Sequence, residues 1–273
     1  MANCQICGGP ISLDNKYLED LDTGNKMHVQ CYQGNPVKME VNYVTQCDAI
    51  DGVGQLPDDS VDYIALDPPY PFHERKGGPT ARCQNWFPSF DGSNHSGWKR
   101  AHTDPTTEQE PRFMRWFEDL LYLCADKLKD GHYMTIFATE YFADKVKPLI
   151  GPPLVYRKEW IWDKMDFATG YYGRQQHEYI LCITKGKKPF KFIQDVGTIL
   201  EAKRVKNGYP TEKPVGLYDQ LIQRTMEGRG LVLDPCCGSG NSLVSAVQNG
   251  HYFIGYDIWK KAVNISLKNL NSA

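Results

Sequence analysis

The chain has 273 residues and balances 31 Lys and Arg against 33 Asp and Glu, a formal charge of −2. Hydrophobic residues make up 41% and charged ones 23%, which excludes a disordered or fibrous chain and fits a globular one with a substantial core. No apolar run reaches the roughly 18 residues of a membrane span, and no basic-then-apolar leader follows Met1, so a cytoplasmic protein with no membrane partner is expected.

Nine cysteines, an odd number, point to a reducing compartment and not to a disulfide framework. Cys4-x2-Cys7 is followed after twenty residues by His28-x2-Cys31. Each pair lets two side chains converge on one ion, and three thiolates with one imidazole make a common tetrahedral zinc shell. The plainer reading is four scattered buried side chains. Four protein ligands leave no open position, so the expected zinc is structural. It would staple a module over residues 1–38, which is too short for a core of its own.

Residues 41–67 contain a turn-rich connection from Gly52 to Ser60 and then a buried strand, Val61–Asp67, stopped by Pro68-Pro69. Residues 71–111 lack periodicity and carry Trp86, Phe87, Phe90 and Trp98, which suits a lid, a binding loop or a passive insert. Phe113, Trp116, Phe117, Leu120, Leu121, Cys124 and Leu128 recur at helical spacing, closed by Gly131. Strands follow near 132–138, 159–162 and 178–184, and residues 185–208 read as a basic loop. Pro214 opens a helix. Strand 231–233, a glycine turn, a helix from about Ser239, strand 252–256 and a helix from about Trp259 complete the chain. This alternation predicts an α/β fold, a mostly parallel sheet with helices on both faces.

Two strand ends carry chemistry. Asp67-Pro68-Pro69-Tyr70 puts a carboxylate, a rigid carbonyl and an aromatic ring where ligands bind in such sheets. Asp67 and the Pro68 carbonyl can each accept one hydrogen of an exocyclic amine, and Tyr70 can stack on the ring that bears it. A strand stopped by a Pro-Pro turn is the plainer reading. Asp234-Pro235-Cys236-Cys237-Gly238-Ser239-Gly240 is a tight turn between strand and helix, and Asp257 ends the next strand, where an acid can grip ribose hydroxyls. A glycine turn of this kind is often merely structural.

DPPY early and DPxxGSG late, over roughly residues 42–270, resemble the β-class DNA amino-methyltransferases, which use S-adenosylmethionine. Cys47-Asp48-Ala49, Trp160–Lys164, His177–Leu181, Pro210–Pro214 and Phe253–Asp257 stand in the family's order between and around these motifs. The resemblance implies a circularly permuted, Rossmann-like methyltransferase sheet over residues 39–273, with the catalytic half first. It implies that Asp234, Pro235, Cys236, Gly238, Ser239 and Gly240 line the methionine and sulfonium end of the cofactor. Asp257 would hold the ribose, Asp48 and Ala49 would lie near the adenine, and Lys213 and Pro214 would border the pocket. Cys236 replaces a usual aromatic, Asn241 a usual Thr and Tyr209 a frequent His. Asp at the first DPPY position implies adenine N6 as acceptor. Cytosine N4, or a zinc-containing DNA-binding protein with an inactive fold, are the rival readings.

The expected partner is double-stranded DNA, in a bacterial or phage-infected cell. Lys185, Lys187, Lys188, Lys191, Lys203, Arg204 and Lys206 face only Asp195 and Glu201 between residues 185 and 208, leaving +5 there and −7 elsewhere. The family places target recognition in this stretch, so these seven are the expected phosphate contacts. A solvated face is the plainer reading. The zinc module could touch DNA or a second subunit of a homodimer.

Overall fold

The structure, a computed structural model, describes residues 17–19, 26–28, 39–69, 109–167, 173–205, 209 and 211–273. Near the N-terminus, β1 (Tyr17–Glu19) and β2 (Lys26–His28) pair antiparallel, with Tyr17 opposite His28. Cys4, Cys7 and Cys31 lie outside the described residues, and of His28 only the backbone is described. Tyr70, Lys206 and the insert from 71 to 108 also lie outside them.

The other described strands build one sheet. Its elements are β3 (Tyr43–Gln46), α1 (Ala49–Gly54), β4 (Val61–Leu66), α2 (Gln109–Lys127), β5 (Leu128–Ala138) and α3 (Glu140–Val146). Next come β6 (Leu154–Asp163), β7 (His177–Lys185), β8 (Ile199–Glu201), α4 (Val215–Thr225) and β9 (Leu231–Asp234). The chain ends with α5 (Asn241–Gln248), β10 (Tyr252–Asp257) and α6 (Lys260–Leu270). The eight strands lie in the order β3-β10-β9-β4-β5-β7-β6-β8. All neighbours run parallel except β7, which opposes both β5 and β6.

The last two strands of the chain therefore sit inside the sheet, between β3 and β4. Two halves from opposite ends of the sequence meet at β9 and β4. That junction is a topological switch point, where a crevice opens beyond the carboxyl ends of the strands. All four residues of β9 are buried, so both faces of the sheet are covered there. Phe113, Phe117 and Phe142 pack with ring centroids 5.0–6.2 Å apart, joining α2 to α3.

Several local expectations change. The connection expected from Gly52 to Ser60 begins inside α1. Gly52 is a helical residue, and a Cβ there would stand 2.7 Å from the Tyr256 ring, so glycine marks a close approach and not a turn. The helix expected to close at Gly131 ends at Lys127, and the next strand starts at Leu128 and contains Gly131. The last three residues of the 71–111 segment already belong to α2. The basic loop contains β8, a three-residue edge strand beside β6. No helix among the described residues is long and apolar enough to cross a membrane.

Candidate active site at the carboxyl edge of the sheet

Strands β3, β10, β9 and β4 run parallel, so their carboxyl ends share one edge. Each ends at an acid or within two residues of one: Asp48, Asp257, Asp234 and Asp67, in spatial order. Asp48 caps α1, its Oδ1 accepting from Ile50 N at 2.9 Å, with Ala49 buried behind it. Cys47 N donates to Asp257 O at 3.1 Å, which fixes this cap beside the end of β10.

Asp257 organises the turn on the neighbouring strand. Its Oδ2 accepts from Gly238 N at 2.9 Å and its Oδ1 from Trp259 N at 2.8 Å. Asp234 is 1% exposed. It accepts from Cys236 N at 3.0 Å and from the Ser242 hydroxyl, so the turn folds around it. Gly238 and Gly240 both have positive φ, 52° and 78°. A Cβ on Gly240 would meet Ser266 Oγ at 1.9 Å, so no larger residue fits. Pro235 and Ser239 are buried and Cys236 is half-buried in the same turn.

Burial sets the electrostatics. It pushes the Asp234 carboxyl up to about 7, with Asp67 and Asp257 adding to the rise against the Ser242 and Cys236 hydrogen bonds. It pushes Asp257 up to about 6, against the backbone hydrogen bonds from Trp259 and Gly238. Acids clustered at one strand edge, Asp234 buried and the others half-buried, make a site that gains from a cationic ligand.

Asp67 follows β4, with Pro68 buried and Pro69 exposed beyond it. Lys213 Nζ donates to both Asp67 oxygens, at 2.6 and 2.5 Å. Lys213 is 4% exposed and lies immediately before Pro214, the N-cap of α4. Its Nζ is 3.7 Å from Glu178 Oε2 and 5.3 Å from the centre of the Phe137 ring. Glu178 in turn pairs with Lys164 at 2.6 Å. Burial pushes the Asp67 carboxyl above its ordinary range, and Lys213 opposes that rise. Burial alone would lower Lys213, but Asp67 and Glu178 reverse this and hold it charged.

The segment before α4 is tied to the glycine turn. Asn241 Nδ2 donates to Glu212 Oε1 at 2.7 Å and to Lys213 O at 2.8 Å. Glu212 Oε2 accepts from Tyr209 N at 2.7 Å, and the Tyr209 ring lies over Gly238. Asn241, where the family usually has Thr, thus ties the segment that carries Lys213 to the glycine turn. Reading the sequence alone assigned no role to Glu178, Lys164, Glu212 or Ser242. Lys164, Glu178 and Glu212 lie within Trp160–Lys164, His177–Leu181 and Pro210–Pro214, and that placement is the signal the sequence carries for them.

The six described cations of residues 185–208 do not form one patch. Strand β7 runs against β4, so Lys185 lies at the amino edge, opposite the acids. There Lys185 pairs with Asp59 at 2.7 Å. Lys191 Nζ donates to the carbonyls of Gln223 and Met226 at 3.2 and 3.0 Å, at the C-terminal end of α4. Lys187 and Lys188 are exposed beside them. Strand β8 runs back to the carboxyl edge, where Lys203 is exposed and Arg204 pairs with Asp166 at 3.2 Å.

Among the described residues no group of three or more His, Cys, Asp or Glu could hold a metal. A family model described as DNA methylase matches residues 61–268. The type II methyltransferase M.HhaII of Haemophilus parahaemolyticus is 24% identical over 223 residues, covering 80% of this chain and 91% of that protein. The DNA adenine methyltransferase YhdJ of Escherichia coli K12 is 25% identical over 275 residues, covering 86% and 84%. The crystal structure of an M1.HpyAVI–SAM complex superposes with a TM-score of 0.60 at 19% identity, over 84% of this chain and 98% of that one.

Proposed function

The chain belongs to the N6/N4 DNA methylase family, and on that premise we propose that it methylates the N6 amine of an adenine flipped out of double-stranded DNA, using S-adenosylmethionine. The observation that carries this reading is the adjacency of Asp67 to the Asp234 turn on neighbouring parallel strands. It puts an amine acceptor beside a cradle for a cation.

S-adenosylmethionine supplies a methyl group already activated by its sulfonium. The residues present fit it. Gly238 and Gly240 hold the turn in a left-handed backbone packed tightly under Tyr209 and against Ser266, and the buried Asp234 with half-buried Asp67 and Asp257 suits a cationic ligand. Asp234 and the turn from Pro235 to Gly240 would hold its methionine end, Asp257 its ribose, and Asp48 with Ala49 its adenine. Lys213 and Pro214 border the same space.

An exocyclic amine is a poor nucleophile because its lone pair is delocalised into the ring. Asp67 and the Pro68 carbonyl would accept its two hydrogens and favour a pyramidal nitrogen. Pro69 stiffens that carbonyl. The raised Asp67 carboxyl suits uptake of the proton that the nitrogen releases. Tyr70 would stack on the base, returning about 1–3 kcal/mol of the few that flipping costs. Two things support adenine: Asp at the first motif position, and the relative whose name specifies adenine.

We also assign one structural zinc ion to Cys4, Cys7, His28 and Cys31. Their paired Cys-x2-Cys and His-x2-Cys spacing supports it.

Single-molecule sequencing of DNA from cells expressing the protein tests the base. N6-methyladenine in one sequence context is expected; N4-methylcytosine alone would overturn the choice of adenine. Asp67→Ala should keep cofactor binding by calorimetry and lose about 100-fold or more of methyl transfer. Undiminished transfer would remove Asp67 from its role.

A further inference from the structure

We propose that duplex DNA beside the target base is held by the loops that leave β6 and β8, through Phe167, Arg174 and Lys203, and that Lys187 and Lys188 do not touch it. This surface deepens the DNA-methylating reading and rests on it.

Strand direction is the first argument. Strand β6 runs parallel to β4 and ends at Asp163, so residues 164–167 leave the same edge as Asp67, and residues 173–176 return to β7 there. Strand β8 reaches that edge too, with Glu201 opposite Asp163. Lys187 and Lys188 follow the far end of β7. The eight residue steps of β7 separate the two edges by about 26 Å. A base held at Asp67 and phosphates held at Lys187 would need DNA on two opposite edges at once.

Distance is the second. Three strand spacings separate β4 from β6, about 14 Å, or roughly four nucleotide steps along one strand. The loops are therefore placed for the flank of the target, not for the base itself.

The third is how the loop is built. Asp163 Oδ1 accepts from Met165 N at 2.8 Å, and both its oxygens accept from Gln176 Nε2, at 3.3 and 3.2 Å. Lys164 N donates to Gln176 O at 2.8 Å. Lys164 also pairs with Glu178, which faces Lys213, so a line of charges joins the loop base to Asp67. On this clamped base Met165 and Phe167 are 58% and 54% exposed. The Arg174 guanidinium lies 5.4 Å from the Phe167 ring centre. An exposed ring with a cation stacked on it suits a sugar or base face with a phosphate beside it. Lys203 stands exposed on the adjacent loop. At the opposite edge Lys185 pairs with Asp59 and Lys191 with the end of α4, which leaves Lys187 and Lys188 exposed there but on the wrong edge for a base at Asp67.

The test is equilibrium binding of the full chain, saturated with S-adenosylmethionine, to a mixed-sequence duplex between 50 and 200 mM salt. Removing two phosphate contacts in Arg174→Ala/Lys203→Ala should lower the salt slope by about 1.8. Lys187→Ala/Lys188→Ala should leave the slope unchanged. Phe167→Ala should weaken binding about tenfold at every salt concentration without changing the slope. Calorimetric affinity for S-adenosylmethionine should be unchanged in all three, which keeps misfolding apart from lost contact. A slope lowered only by the Lys187/Lys188 variant, or by neither, would overturn the surface while leaving the methylating reading intact. Light scattering that shows the loop variants altering self-association but not DNA affinity would overturn it in favour of a second copy of the chain. Wild-type binding with no salt dependence would remove the underlying reading, and the surface with it.

Discussion

Lys213 donates to both carboxylate oxygens of Asp67 across 146 residues of sequence, and its ammonium is almost wholly buried there. The pair locks the segment before α4 onto the end of β4, so an ion pair ties the C-terminal part of the chain to the strand that carries Asp67. It also fixes the plane of the carboxylate proposed to receive the amine.

Lys213→Met should therefore leave a buried carboxylate without its main partner. A loss of about 3 kcal/mol in chemical denaturation is expected, together with loss of methyl transfer. Adding Asp67→Asn to this variant should recover most of the stability and none of the activity. If the double variant is no more stable than the single one, the pair is not what ties these segments together.

Cofactor binding should depend on pH through Asp234 and Asp257. Burial raises both carboxyls, to about 7 and about 6, so each is partly protonated below neutrality. A cationic ligand prefers them ionised. Affinity for S-adenosylmethionine should then weaken as pH falls from 8 to 5, and Asp234→Asn should flatten the upper part of that curve. Calorimetry at several pH values reads this directly.

Linkage gives the ligand-free protein the opposite trend. A carboxyl raised in the folded state binds its proton more tightly there than in the unfolded chain. These two groups therefore make stability fall as pH rises from about 4 through about 7. Denaturant midpoints with and without cofactor should diverge most at pH 8.

Gly240→Ala should lose at least about 1–2 kcal/mol from left-handed backbone alone. The clash of its Cβ with Ser266 adds to this. Ser266→Gly in the same chain should relieve the clash but not the strain, giving partial recovery of stability. Equal stability of Gly240→Ala and wild type would show that the turn has another conformation.

Zinc content gives a separate check on the N-terminal segment. Elemental analysis of the purified chain should find about one zinc per molecule, and Cys4→Ser/Cys7→Ser should find none. A full complement in that variant would remove the assigned ligands.

The sequence by itself determined what is local. A Pro-Pro pair stops a buried strand at Asp67, and a glycine turn follows Asp234, because both features act within a few residues of backbone. Asp257 ends its strand by the same alternation, so three of the four edge carboxylates were legible as strand ends. Only the tertiary structure decided what depends on distant partners. Gly52 reads as a turn until the Tyr256 ring occupies the space of its missing Cβ. Lys213 reads only as a border of the cofactor pocket until β4 and β9 lie side by side and set it against Asp67 and Glu178. The basic stretch reads as one patch because sequence distance hides strand direction. Strand β7, reversed in the sheet, carries four of its lysines to the edge away from the acids, and β8 returns Lys203 and Arg204 to the edge where they stand.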